Sequence, residues 1–71
     1  MNHLMLVQHL VEVENDVASA ARAMIRQQEL IMDLERDGHE AGEAKRLLAT
    51  FEQVLKRHMA DQDTYRKLFA K

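Results

Sequence analysis

His58 and Asp61 stand one helical turn apart, and so do His9 and Glu12. An imidazole beside a carboxylate at that spacing can hold a proton in place or offer two ligands to a metal. Two ligands do not make a protein metal centre, since zinc takes three or four protein groups and hard cations take more oxygens. A di-iron bundle needs Glu-x-x-His on two helices, and that pattern occurs nowhere in the chain. With no cysteine, neither a thiolate site nor a disulfide can form. A glycine-rich phosphate loop is missing, as is a Ser/His/Asp set on a strand-turn-helix frame. The expectation is a protein that is not an enzyme and uses no cofactor and no metal.

Lys45, Lys56 and Lys67 recur every eleven residues, which is three helical turns, and each has an arginine beside it at 46, 57 or 66. Such a stripe could hold phosphates. Against that, Glu43, Glu52, Asp61 and Asp63 are interspersed, the net charge is -2, and the aromatics are limited to Phe51, Tyr65 and Phe69. Residues 2–37 carry seven acids and three bases, residues 40–71 five acids and seven bases. The stripe therefore reads as the cationic answer to an acidic partner helix, and nucleic acid is not an expected partner. Nor is a membrane: no run approaches the ~18 uninterrupted apolar residues of a spanning helix. The N-terminal MNHLMLVQHLVEVEN lacks the basic region and cleavage site of a signal peptide. Cytoplasm is the expected location.

The elements that carry these residues follow from a helix-former's composition with no proline and only two glycines, Gly38 and Gly42, close to the midpoint. In the first half Leu10, Val17, Met24 and Ile31 form one heptad row, beside Leu6, Val13, Ala20, Gln27 and Leu34. A further row is Leu4, Val11, Ala18, Ile25 and Met32. Together they span roughly 160° of a helical wheel, wider than the stripe of ~100° that packs on an ordinary core. In the second half Ala44, Phe51, His58 and Tyr65 share one row, Leu47, Val54, Asp61 and Leu68 the next, and Leu48, Leu55, Gln62 and Phe69 the third. Helices are predicted over 3–37 and 41–69, antiparallel because the connection is short. The fold class is an all-α two-helix hairpin, one domain over 1–71.

One partner helix cannot cover stripes this wide. Two hairpins packed together would, giving a homodimeric four-helix bundle with coiled-coil-like seams. Leu10, Val17, Met24, Ile25, Ile31, Leu34, Leu48, Phe51, Leu55, His58, Tyr65 and Leu68 are the expected core and interface. His58, Asp61 and Gln62 form an expected polar layer, with Asp61 accepting from the imidazole, and such layers fix register and oligomeric state. Centring the bend near residue 39 or 40 sets the small residues Ala20 and Ala21 opposite His58, Glu14 near Tyr65, and Gln27 and Gln28 near Phe51. The alanines make room for His58, or line a pocket beneath it. Asp37, Gly38 and His39 make the turn, with Gly38 in the left-handed conformation that stops a helix. Glu40 and Glu43 put negative charge at the start of the second helix, while Gly42 weakens its first turn.

Through Leu34-Glu35-Arg36-Asp37-Gly38-His39, Leu47-Leu48, Phe51-Glu52, His58 and Asp61, the sequence resembles short alphaproteobacterial helical-hairpin proteins with an Arg-Asp-Gly-His turn and no assigned activity. The resemblance covers most of the chain and implies the hairpin. It departs at Glu40 and Ala41, where an aspartate and a capping threonine are expected. The expected function is a non-enzymatic oligomeric interaction module whose first partner is itself. The alternatives are a monomeric hairpin that lays its apolar face on another protein's helices, and a phosphate or nucleic-acid binder acting through the Lys45/Lys56/Lys67 stripe.

Overall fold

The computed structural model describes residues 2–71, so Met1 of the expected domain lies outside the described residues. Two helices, α1 (His3–Arg36) and α2 (Gly42–Ala70), pack against each other as an antiparallel hairpin. Among the described residues there is no strand. The helices begin and end within a residue of the positions read from the periodicity. The result is a rod of 54 × 14 × 13 Å with a radius of gyration of 16.2 Å. A compact domain of this length would have a radius near ~11 Å.

Each helix end has its own chemistry. Asn2 caps α1, its Oδ1 accepting the Met5 N–H at 2.8 Å. At the other end Gly38 N–H donates to the Glu35 carbonyl at 3.2 Å and His39 N–H to the Leu34 carbonyl at 2.8 Å. That is the Schellman pattern, and it needs the left-handed φ of +78° that Gly38 adopts. Ala41 precedes α2 and supplies no side-chain cap. Its methyl is instead buried, 7% exposed, beneath the bend. Glu43, in the first turn, puts a carboxylate near the positive end of the helix dipole.

Leu6, Val13, Gln27 and Ile31 are the buried residues of α1 and belong to the two adjacent rows that the heptads mark. From α2 they meet Ala44, Leu48, Phe51, Leu55, His58, Gln62 and Tyr65, all half-buried. Leu10, Val17, Met24 and Leu34 of α1 are half-buried too. No side chain among the described residues is fully buried. Two helices can cover each other along one line only, so most seam residues stay half-buried.

The pairing level along that seam differs from the sequence-derived one at Gln27 and holds on the Glu14 flank. Gln27 Nε2 donates to the Ala44 carbonyl at 3.0 Å, nearly two turns nearer the bend than Phe51. Tyr65 stacks on His9 with ring centroids 5.6 Å apart, while Glu14 does lie at the expected level, its carboxylate 3.6 Å from Arg66 next to Tyr65. A single level rule assigns each residue one partner, whereas interlocked side chains are staggered differently on the two flanks of the seam. The polar layer is corrected as well. Asp61 is exposed, while His58 and Gln62 are half-buried, and the buried polar residue is Gln27, whose amide finds a backbone acceptor.

Candidate functional site

The hairpin has two flanks. On one, Lys45 Nζ lies 3.0 Å from Glu35 and Arg66 lies 3.6 Å from Glu14, so ion pairs bridge α1 and α2. On the other, Asp16, Ala20 and Ala23 of α1 and Phe51, Val54 and His58 of α2 line an open groove of about 330 Å³. The alanine run and His58 thus meet in a hollow, as the small-opposite-large pattern suggested. The lining is mainly apolar, and Ser19 and Thr50 are among its polar members.

Large apolar side chains remain exposed on both flanks. On the groove side Leu30, Leu47, Val54 and Leu68 are 41–46% exposed. On the ion-paired side exposure is greater: Met32 68%, Leu4 66%, Ile25 54%, Val11 52% and Met59 51%. Helical periodicity puts Leu4, Val11, Ala18, Ile25 and Met32 in a row three and four residues from Val7, Glu14, Ala21, Gln28 and Glu35, and so beside the ion pairs. Met59 is one heptad from Arg66, on the same side. Thus the five most exposed large apolar side chains among the described residues share one flank. Ile25 and Leu68, expected in the core or interface, both face outward from the hairpin.

The chain's accessible surface is 5486 Å². A compact monomer of its 8.3 kDa would expose about 4,600 Å², so the hairpin shows roughly 900 Å² more than its mass requires. The elongated shape, 54 Å long and 14 Å across, causes the excess.

The groups with catalytic potential are spread out. His9 Nδ1 is 3.8 Å from Glu12 while its ring lies against Tyr65, at the open end of the rod. His3 and Phe69 form a second aromatic contact there, 5.2 Å between centroids, which the heptad rows, beginning at Leu4, did not include. His39 and Asp37 are exposed at the bend, and Asp37 Oδ1 accepts from Arg36 at 3.5 Å. Among the described residues no three His, Asp or Glu side chains converge as metal ligands would. Among the described residues no helix is long and apolar enough to cross a membrane.

The lysine stripe is partly neutralised. Lys45 pairs with Glu35, and Lys67 Nζ lies 2.9 Å from Asp63. The hydrogen bond from Lys67 to Asp63, and then the carboxylate's charge, hold that ammonium above its usual pKa. No family model matches the chain, and neither a curated protein nor a solved structure matches it.

Proposed function

We propose that this chain is a small, non-enzymatic, cytoplasmic interaction module of bacterial type that associates with a second copy of itself, two hairpins forming a four-helix bundle. The observation that carries the reading is the row of large apolar side chains left outward on α1, with Leu4, Val11, Ile25 and Met32 52–68% exposed, on a rod whose total surface exceeds a compact monomer's by roughly 900 Å². A second copy packed on that row would bury it, as the uncovered apolar stripe of a thin rod requires. Small domains rarely complete a core alone, and self-association is the common remedy.

Charge favours this reading over a nucleic-acid partner. Arg66 and Lys45 already meet Glu14 and Glu35 across the hairpin, so part of the cationic stripe is spent within the chain. The competing role, a monomer that donates its apolar face to another protein, requires the free chain to stay monomeric. Sedimentation of the purified chain across a micromolar range separates the two. A reversible dimer supports the module proposed here, and a monomer at every concentration overturns it.

A further inference from the structure

We infer that α1 pairs with α1 of a second copy of this chain, antiparallel, through Leu4, Val11, Ala18, Ile25 and Met32, with the twofold axis beside Ala18. This rests on the self-association proposed above and adds the helix, the face, the direction and the register.

The row is apolar at all five positions and holds the four most exposed large apolar side chains described, at 52–68%. The corresponding outward row of α2 is interrupted by the exposed Asp61, and Asp16 stands on the groove beside it. The row is also symmetric in size about its centre. Ala18 is flanked seven residues away by the β-branched Val11 and Ile25, and fourteen residues away by the longer Leu4 and Met32. Two crossing helices approach closest at one point and diverge from it, so the smallest side chain belongs at the crossing and larger ones further out. In an antiparallel twofold pair Ala18 meets its mate, Val11 meets Ile25 of the other copy, and Leu4 meets Met32.

The flanking polar groups are compatible with that register. Gln8, Asn15, Arg22 and Glu29 border the row on its outer side, and the same axis sets Asn15 across from Arg22 and Gln8 across from Glu29, with no like charges opposed. On the inner side Glu14 is already paired with Arg66 of its own chain. Antiparallel alignment also sets the positive end of each helix dipole beside the negative end of the other.

Because the chain has no cysteine, a single introduced thiol can link only to its mate in another copy. A disulfide needs the two Cα atoms within about 7 Å, which makes trapping a direct reading of the axis. With wild-type association measured in parallel by sedimentation, Ala18→Cys is expected to trap a covalent dimer under mild oxidation at least ~10-fold faster than Val54→Cys on the groove flank. Val11→Cys is expected to link to Ile25→Cys in a mixture and not to itself. A wild-type dimer in which Val54→Cys traps as fast as Ala18→Cys overturns the inference and leaves self-association standing. Self-linking of Val11→Cys, without linkage to Ile25→Cys, overturns the antiparallel direction. A wild-type monomer overturns both the inference and the reading beneath it.

Discussion

Replacing Ile25 by glutamate puts the exposed α1 row to a quantitative test. Ile25 is 54% exposed in the hairpin, so about half of its side-chain burial remains to be gained by association. Complete burial of an isoleucine is worth ~1.5–3 kcal/mol, which leaves about 0.8–1.6 kcal/mol for each copy. A twofold contact contains the residue twice, so the lost apolar burial amounts to about 1.6–3 kcal/mol. At ~1.4 kcal/mol per decade, the dimer dissociation constant should rise about 15- to 150-fold. Desolvating the new carboxylate against Val11 of the partner copy pushes the change further in the same direction. Glutamate is a better helix former than isoleucine, so α1 itself is not weakened. Sedimentation equilibrium over a concentration series gives the constant, and far-UV circular dichroism on the same samples reports the helices. A dissociation constant within about threefold of the wild-type value would refute the reasoning.

Leu55 is half-buried in the seam between the helices, and Leu55→Asp should cost about 3 kcal/mol or more by leaving a carboxylate unpaired there. Unchanged helicity and assembly mass in that variant would show that the seam has been assigned to the wrong face. The two glycines should respond oppositely to alanine in thermal melts at one fixed concentration. Gly38→Ala forces a side chain into φ +78° and should lose ~1–2 kcal/mol, whereas Gly42→Ala meets only the end of Arg46 at 3.8 Å and should gain up to ~1 kcal/mol. The Lys67 ammonium, its pKa raised by its hydrogen bond to Asp63 and that carboxylate's charge, contributes its stabilisation fully below the ordinary lysine value of 10.5 and loses it as pH climbs through the raised value. Following the Lys67 ammonium by NMR should show its titration move down to the ordinary lysine range in Asp63→Asn.

The hairpin was legible because its signals are local and repeated. Heptad rows on both sides of one glycine-bearing break define two helices, and Gly38 with its neighbours closes α1 as its position implied. The pairing level was less legible, because it depends on how long side chains such as Gln27 and Tyr65 interlock, and spacing alone carries no information on that stagger. Asp61 was drawn into the seam by its heptad position, yet it lies on the outward edge of the apolar arc, and only the packed pair fixes which edge is dry. The distinction between flanks was likewise hidden. Width of the apolar stripe announced that something was left uncovered, but the greater exposure of Leu4, Val11, Ile25 and Met32 became visible once α2 had claimed the neighbouring rows. Ala41 illustrates the same limit. Its failure as a cap was plain from its side chain, while its burial under the bend depends on the tertiary contact.

The central claim is that this hairpin completes itself with a second copy, and sedimentation equilibrium of the untagged chain over nanomolar to high-micromolar concentrations tests it most directly. A reversible transition from one chain mass to two, with no larger species at intermediate concentration, is the predicted result. A single chain mass throughout, with the helical signal intact, would contradict it.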